Sequence, residues 1–574
     1  MELMLSLLRY IHLSSLFFII SVGSASADTG IYQQAGIEKQ ISDKSINPIE
    51  QDKARRDAVV PETKSARSEK QNLIREVITF PTEENCFNIS VIKLTQDDKR
   101  LNIGEVSWIT QQAKGKCLGI EGVRLLARTL QNEIIRMGYI TTRINLPEQD
   151  INEGKLHFEI LAGKVGDIKL EKGGANFINL TSTLPFSTGY ILSLRELEQG
   201  SANLQRVPGS SVKIKLLPGE NKGESDLFIQ RLQDKYWQIG AWVNDAGSAT
   251  SGRYQGGATL YLNNITSLSD MLYFSYGRDI DFSHKVEGNN NRSVGYSVPW
   301  GFWWLDLYAS QSSYQQHVQG DWASWRLNNK NHYLSAQLNY LISQTVSQKY
   351  TFGLQIFNMG ARYAFNEIEL ESMNKKNSGW KAILENQYKF NNTAINTRLS
   401  YQHKMPWFGS SNTPDRQIDL IDKQGRIVGI DLQSSTNFIL QGHYFNYSPH
   451  FNLQLTPDRL STLDRFAIGN RWTVRGFDGE LNLQQNQGWY WRNDLSWIIP
   501  GRAFQPYAGL DIGQGIGGGE RANYSGKMLA GGVVGLRGWL WNTGFDLFAG
   551  VPLARPDGFH TDSLMLGFSL QWRY

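Results

Sequence analysis

Residues 235–574 consist of repeated segments of about ten residues in which apolar and polar side chains alternate, with Asn, Gly, Ser, Asp and Pro between the segments. In the segment 270–280, Leu272, Phe274 and Tyr276 fall on one face, and Tyr273, Ser275 and Gly277 fall on the other. The segments 543–552 and 563–574 repeat this pattern. Because successive side chains of a strand point to opposite sides of a sheet, the pattern predicts many strands that each have one apolar face.

Sixteen segments fit this description. They span 236–247, 254–264, 270–280, 291–300, 302–318, 324–343, 348–368, 378–390, 393–407, 435–447, 450–468, 487–499, 504–513, 527–540, 542–552 and 563–574. An even number lets the sheet close with both chain ends on one side. Alternation alone also suits a soluble sandwich, but a sandwich of this length would usually split into several domains. We therefore predict a mainly β fold with a 16-stranded transmembrane β-barrel over 235–574, wide enough to enclose an aqueous channel.

The N-terminus, residues 1–27, has the layout of a secretory signal peptide. Arg9 precedes the apolar stretch Leu13–Val22, and the small-residue site Ala25–Ala27 follows it. The apolar stretch is about half of the roughly 20 residues that a spanning helix needs. We therefore predict cleavage before Asp28 and a mature chain outside the cytoplasm.

The composition agrees with a barrel. Aromatic residues make up 12% of the chain, with 17 Trp, 24 Tyr and 26 Phe. The mean hydropathy is nevertheless only −0.38. Many aromatics with modest hydropathy are typical of barrels, whose strands are apolar on alternate residues. The net charge of +4 is small for 574 residues, so we predict no nucleic-acid partner.

The chain has two cysteines, Cys86 and Cys117. In an exported protein an isolated pair indicates a disulfide and not a metal site. Closing a loop of this length would stabilise the fold by roughly 3–4 kcal/mol.

Residues 28–79 are polar and charge-mixed, which predicts a linker with one short helix at Ile31–Ile41. Two small α+β units follow, at 80–163 and 164–234. In the first unit, apolar residues at three- and four-residue spacing predict a helix over Glu121–Met137.

A strand is also predicted at Phe87–Leu94. The second unit repeats the plan. Its helix begins at a capping box formed by Ser193 and Glu196.

Both units carry characteristic short stretches. Those of the first are Cys86–Ile89, Cys117–Gly119, Gly138–Arg143, Leu146–Asp150 and Gly154–Leu156. Those of the second are Leu194–Gly200, Asn203–Pro208, Leu217–Glu220 and Gly223–Asp226. In this order they resemble the two POTRA domains of two-partner secretion transporters, the TpsB family of type Vb secretion.

A further motif lies in the long connection before the strand predicted at 487–499. Its residues are Val474, Arg475, Gly476 and Phe477. They resemble the V-R-G-Y/F motif of the BamA superfamily, to which the TpsB family belongs, and imply an extracellular loop that folds back into the barrel. The resemblance also supplies a wall motif, [F/G]-x-D, at Gly509 and Asp511. An Arg inside a lumen needs an acceptor, so we predict an Arg475–Asp511 pair, with Asp478 and Glu480 as competing partners.

The resemblance implies a translocator in the outer membrane of a Gram-negative cell, with its POTRA domains in the periplasm. These domains would recognise a cognate large exoprotein (a haemolysin, an adhesin or a contact-dependent growth-inhibition toxin), and the barrel would export it through the lumen without ATP. The resemblance also implies outer-membrane lipid and the barrel-assembly machinery as partners, a monomeric chain, no cofactor, and a plug helix within 28–79.

Three other functions would require different sequence features. An outer-membrane enzyme would need a nucleophile beside a base. The nearest approach to G-x-S-x-G is Gly409–Thr413, which lacks the second Gly, so we predict no catalytic residue and no enzyme activity. A barrel-assembly factor usually has more POTRA units, and a porin has none, so two units favour secretion of a partner protein.

Overall fold

The computed structural model describes residues 77–101, 104–171, 177–247, 252–280, 288–319, 324–345, 347–517 and 525–574. The signal peptide predicted at 1–27 and the helix predicted at Ile31–Ile41 lie outside these residues. Among the helices of the described part, none is long and apolar enough to cross a membrane.

The first small domain packs two helices against a three-stranded sheet. Its elements are β1 (Phe87–Asn88), β2 (Val91–Gln96), a 3-10 turn (Gly104–Val106), α1 (Ser107–Ala113), β3 (Cys117–Leu118), α2 (Ile120–Arg136), β4 (Arg143–Asn145) and β5 (Lys155–Leu161). The sheet order is β2-β5-β4. The apolar stripe of α2 supplies the core residues Val123, Leu126, Leu130 and Ile134. At its N-terminus, the Glu83 carboxylate accepts hydrogen bonds from the backbone amides of Gly119, Glu121 and Gly122, which satisfies otherwise unpaired donors.

The second small domain repeats this plan with the sheet order β6-β8-β7. Its elements are β6 (Lys164–Leu170), α3 (Leu180–Thr183), α4 (Leu194–Leu204), β7 (Ser210–Pro218) and β8 (Glu224–Gln233). The capping box of Ser193 and Glu196 starts α4.

Charged side chains join the two small domains. The carboxylate of Asp98, in the first domain, contacts Arg100 at 2.7 Å and Lys164, the first residue of β6, at 3.1 Å. Arg100 also donates to the backbone oxygen of Gly189 at 3.3 Å. The hydrogen bond from Arg100 holds the pKa of Asp98 well below its usual range.

The remaining strands form the barrel and its loops. They are β9 (Trp237–Asn244), β10 (Gln255–Asn263), β11 (Met271–Asp279), β12 (Asn290–Trp300), β13 (Trp303–Gln319), β14 (Ser324–Gln344), β15 (Gln348–Phe365), β16 (Ile368–Glu369), β17 (Lys375–Phe390), β18 (Thr393–Lys404), β19 (Ile427–Leu440), β20 (His443–Leu455), β21 (Phe466–Ile468), β22 (Leu483–Gln485), β23 (Gln487–Ile498), β24 (Phe504–Ile516), β25 (Met528–Leu540), β26 (Thr543–Ala554) and β27 (Met565–Arg573). Short helices lie at Glu371–Met373, Trp407–Gly409 and α5 (Pro414–Gln417).

Within the described residues, sixteen of these strands pair in antiparallel fashion and close into a barrel through β27 and β9, while β16 adds a short pairing to β15 and β21 pairs with β22. The predicted mainly β fold with a 16-stranded barrel is therefore confirmed. We call the end of the barrel next to the small domains the near end and the opposite end the far end. Strand β9 starts at the near end, so successive turns between strands lie alternately at the far end and at the near end. The C-terminus therefore lies at the near end.

Helix α4 seats the second domain on the near end of the barrel. Gly301, in the turn between β12 and β13, accepts a hydrogen bond from Asn203 at 2.7 Å. Arg195 donates to the backbone oxygen of Ile342 at 2.7 Å and lies over the ring of Phe302. The domain is thus bonded to backbone groups of two adjacent turns.

The strands present apolar side chains to the outside. In β11, Phe274 and Tyr276 are 46% and 54% exposed, whereas the inward Tyr273 and Ser275 are buried. At the near end, exposed aromatic side chains form a girdle: Trp237, Trp300, Trp303, Phe390, Tyr444, Trp497, Trp541 and Tyr574. Such a girdle marks the level at which a barrel meets the membrane surface.

Three predicted strands have wrong boundaries. The strand predicted at 450–468 begins inside β20 and runs past its end at Leu455 as far as β21. The strand predicted at 435–447 spans the end of β19 and the start of β20, because a hairpin turn lies at Gln441 and Gly442. Both turn residues have positive φ, 50° and 80°, which suits a two-residue hairpin. The strand predicted at Phe87–Leu94 is interrupted between β1 and β2.

Candidate functional site

The connection between β20 and β23, residues 456–486, turns back into the barrel from the far end; we call it the inserted loop. The short hairpin of β21 and β22 forms its stem. Its apolar side chains are buried together with residues of the barrel wall: Phe466, Ile468, Val474, Phe477, Leu483, Tyr490, Leu529 and Phe559. The rings of Phe477 and Phe559 meet edge to face, with their centroids 5.7 Å apart.

Arg475, near the tip of the inserted loop, is bound to Asp511 on β24. Its Nε donates to Asp511 Oδ2 at 2.7 Å, and its Nη2 donates to Oδ1 at 2.8 Å. The backbone amide of Arg475 also donates to Oδ2, at 3.0 Å. The Asp511 side chain is fully buried. The carboxylate therefore fixes both the guanidinium and the main chain of the loop tip.

A second carboxylate completes the site. Asp494, on β23, accepts from Nη2 of Arg475 at 2.5 Å and contacts Nη1 of Arg537 at 3.1 Å. Arg492, on the same strand, donates to the backbone oxygen of Trp472 at 2.8 Å. Two acidic side chains thus lie in contact with three basic ones where the loop meets β23, β24 and β25. The attraction between opposite charges lowers the cost of burying them.

Glycines of the wall make room for the loop tip. A Cβ at Gly531 would lie 1.8 Å from the backbone oxygen of Arg475, and one at Gly509 would lie 2.7 Å from its Nη2. On the loop, Gly476 has φ +93° and lies against the backbone oxygen of Val551. Only glycine tolerates both the positive φ and this close approach at 476. At 509 the close approach alone explains the Gly of the wall motif.

The stem of the inserted loop is held on the opposite wall. Asp464 forms an ion pair with Lys404 of β18 at 2.8 Å, and both side chains are almost fully buried. Its carboxylate also accepts from Asn377 at 2.5 Å and from Gln402 at 2.9 Å. The loop is therefore fixed to β17 and β18 as well as to β24.

A third contact reaches the seam where the barrel closes. Arg471 forms an ion pair with Asp245, directly after β9, at 2.7 Å, and donates to the backbone oxygen of Phe568 on β27 at 3.3 Å. The same Asp245 oxygen accepts from the Phe568 amide at 2.8 Å. Arg471 thus bonds both sides of the seam.

The competing partner Asp478 faces elsewhere: its carboxylate accepts from the backbone amides of Glu480 and Asp562. Sequence reasoning missed Asp494, Asp464 and Arg471. Asp494 lies on a predicted strand next to the wall motif, so strand pairing could have suggested it. The other two have no local signal.

The two cysteines lie in the first small domain. Cys86 and Cys117 form a disulfide with their Cα atoms 5.2 Å apart. It crosses the pair β1 and β3, beside the N-terminus of α2. The bond closes a loop of 31 residues in sequence separation, and it reinforces a sheet of only two residues per strand.

A polar cavity remains in the lumen beside the inserted loop. Its lining on the wall includes Ser310, Gln355, Lys381, Arg398 and Asp431. Asp464 and Trp472 line it from the loop. The loop therefore fills the lumen only in part, and it is held by ionic contacts instead of covalent ones.

Comparison with known proteins identifies the family. Residues 223–538 match the family described as haemolysin secretion/activation protein ShlB/FhaC/HecB. Residues 87–163 match the POTRA domain of ShlB type, and residues 164–218 match a POTRA domain.

Individual relatives agree. The outer membrane transporter CdiB-2 of Burkholderia pseudomallei (strain 1026b) is 30% identical over 514 residues, which cover 86% of this chain and 87% of the relative. The hemolysin transporter protein ShlB of Serratia marcescens is 24% identical over 70% of this chain and 71% of its own length.

Among solved structures, CdiB from Escherichia coli superposes with a TM-score of 0.77 at 24% identity, covering 96% of this chain and 100% of that one. That likeness shows the fold. The chain belongs to the haemolysin secretion/activation family ShlB/FhaC/HecB, the two-partner secretion transporters of the outer membrane, whose POTRA domains lie in the periplasm.

Proposed function

We propose that this chain captures one cognate large exoprotein in the periplasm and exports it through the barrel lumen without ATP. The lumen supports this route, because a polar cavity persists beside the inserted loop and the contacts that hold the loop are reversible. One relative is named a hemolysin transporter and another a heme/hemopexin transporter. A haemolysin, an adhesin or a growth-inhibition toxin all suit a passenger of this class.

In this proposal the Arg475–Asp511 pair holds the inserted loop in its export-competent position. We assign transport to this chain and no catalytic activity. The chain acts as a monomer in outer-membrane lipid after insertion by the barrel-assembly machinery. The apolar outer face and the aromatic girdle support the lipid contact.

We further propose that the exoprotein binds by adding a strand to β7. This edge strand is nine residues long, and Val212, Ile214 and Leu216 face the domain core. Within the described residues β7 pairs only with β8, which leaves its other edge open, and on that edge the Val212 backbone oxygen accepts a hydrogen bond from Gln205 at 3.3 Å. An extended peptide gains main-chain hydrogen bonds by pairing with such an edge.

Site-specific cross-linking tests this docking mode. A photoreactive side chain at Lys213, on β7, should cross-link to the exoprotein. The same side chain at Lys169, on the opposite edge strand β6, is the matched control. Cross-links from Lys169 alone would contradict docking on β7.

Reconstitution tests the export itself. The purified chain is inserted into liposomes that contain no nucleotide, and its exoprotein is added outside, unfolded in urea. We expect a protease-protected fraction that depends on the chain and is much smaller with Arg475→Ala. Protection that appears only when ATP is added would contradict the proposal.

A further inference from the structure

Four asparagine side chains form a buried polar patch on the wall of the lumen near the far end. They are Asn289, directly before β12, Asn291, near the start of β12, and Asn329 and Asn331, on β14. All four are at least nine-tenths buried. Their sequence neighbours Asn290, Arg292 and Lys330 are exposed on the outer face, and Asn331 lines the lumen cavity. Alternation along each strand therefore directs all four amides inwards.

These amides lack hydrogen-bond partners. Among the described residues, neither the nitrogen nor the oxygen of the Asn289, Asn329 and Asn331 side chains is bonded, and the Asn291 nitrogen is also unbonded. A buried amide without a partner is costly, so a group that bonds these amides would be held favourably. Not every lumen amide is unbonded: Asn452 donates to Asp431 at 2.8 Å.

The spacing of the patch matches an extended polypeptide. Asn329 and Asn331 are two residues apart on one strand, hence about 6.8 Å, and so are Asn289 and Asn291. An extended chain repeats its N–H and C=O groups on each edge at the same interval. Ser312 of β13 pairs with both Asn291 and Asn331, so the two asparagine pairs flank one strand.

We infer that this asparagine patch binds the main chain of the exoprotein during its passage. Each side-chain amide offers one acceptor and one donor group, so it bonds a peptide group in either chain direction. The asparagine patch does not distinguish between side chains of the exoprotein, which suits a lumen that must pass a long and varied sequence. The inference rests on the proposed function, because it requires an extended chain in the lumen.

Disulfide cross-linking to an arrested passenger tests the patch. The native cysteines are joined to each other, so a new cysteine is the only free thiol. The probe is the exoprotein with single cysteines, fused to a folded periplasmic domain that halts it in transit. Asn291→Cys and Asn331→Cys are compared with Ser310→Cys, which lies lower in the lumen, and with Lys330→Cys on the outer face.

We expect bonds at Asn291→Cys and Asn331→Cys to be several-fold more frequent than at Ser310→Cys, and none at Lys330→Cys. Equal frequencies at the three lumen positions would overturn the patch as a binding site but leave the lumen route intact. No bonds at any lumen position, with the passenger arrested, would overturn the proposed function itself.

An export assay supplies an energetic readout. Asn329→Leu together with Asn331→Leu keeps the shape but removes two hydrogen-bonding groups, so the export rate should change roughly fivefold or more. Asn328→Leu, one residue along on the other face, should export as the unaltered chain does. An unchanged rate in the double variant would overturn the inference.

Discussion

Arg475 and Asp511, 36 residues apart in sequence, are joined by three hydrogen bonds, one of which comes from the backbone amide of Arg475. The loop tip therefore cannot move away while its guanidinium stays in place. Breaking such a buried pair by removing one partner costs about 3–5 kcal/mol, because the remaining charge is left without a counter-charge. The Arg475–Asp511 contact is thus one of the main restraints on the position of the inserted loop.

Arg475→Lys should reduce export roughly tenfold, because one ammonium cannot replace a fork that bonds both Asp511 oxygens and Asp494. Exoprotein in the culture supernatant is the measurement, and heat-modifiable migration of the barrel on gels is the control for folding. Full export by Arg475→Lys would mean that positive charge alone suffices. A charge exchange between 475 and 511 should not restore export, because Asp494 would face the new carboxylate.

Gly531→Ala should impair export although every charged group is retained. The new Cβ would lie 1.8 Å from the backbone oxygen of Arg475, so the loop tip must lift away from the wall. Gly532→Ala is the matched control, because its Cβ would meet only the Leu553 side chain, at 3.4 Å. Equal export by the two variants would contradict close contact between tip and wall.

Lys404→Met should destabilise the barrel by about 3–5 kcal/mol, because Asp464 would keep a buried charge without its ion pair. The midpoint of thermal unfolding in detergent measures the effect. Lys330→Met, which removes an exposed lysine from β14, should leave the midpoint unchanged. A midpoint of Lys404→Met equal to that of the unaltered chain would show that the stem contact is dispensable.

Replacing Cys86 and Cys117 by Ser should destabilise the first POTRA domain by roughly 3–4 kcal/mol, because the unfolded chain is no longer restricted by the closed loop. Limited proteolysis of the full chain should then cleave this domain and spare the barrel. Dithiothreitol treatment of the unaltered chain should give the same fragments. Protease resistance in both experiments would contradict a stabilising role.

The relative position of the two POTRA domains at their junction should not change between pH 8 and pH 5. The hydrogen bond from Arg100 lowers the pKa of Asp98. The stabilisation of the junction by ionised Asp98 is therefore fully present above the ordinary Asp pKa of about 3.9, and it is lost as the pH falls below that value. Distances between spin labels on the two domains should broaden only in stronger acid, or at any pH in Asp98→Asn. Broadening between pH 8 and pH 5 would contradict this assignment.

Much of the fold could be predicted from the sequence, because lipid and a wet lumen impose alternation on each strand. The alternation did not predict the hairpin turn at Gln441 and Gly442, because the apolar pattern does not stop there. Apolar residues at the near end of the barrel, Phe438 to Leu440, continue across the turn to Tyr444 of the girdle, and only Gly442 marks the turn. Local pattern therefore defines the strands well in the middle of the membrane and poorly at its surface.

The candidate site could be predicted only where a motif carries it. Arg475 and Asp511 lie in two short motifs, and the structure brings them together. The contacts of Asp464 with Lys404 and of Arg471 with Asp245 join residues 60 and 226 positions apart. No local pattern shows that the Lys404 side chain is fully buried, because burial there depends on where the inserted loop lies.

The Arg475–Asp511 contact should position the inserted loop for export. A double-mutant cycle tests it most directly, with export rates of Arg475→Ala, Asp511→Ala and the double variant compared at equal levels of folded barrel. We expect each single variant to lose most export and the double variant to be no worse than the poorer single one. Losses that multiply, or an Arg475→Ala variant that exports at the normal rate, would contradict it.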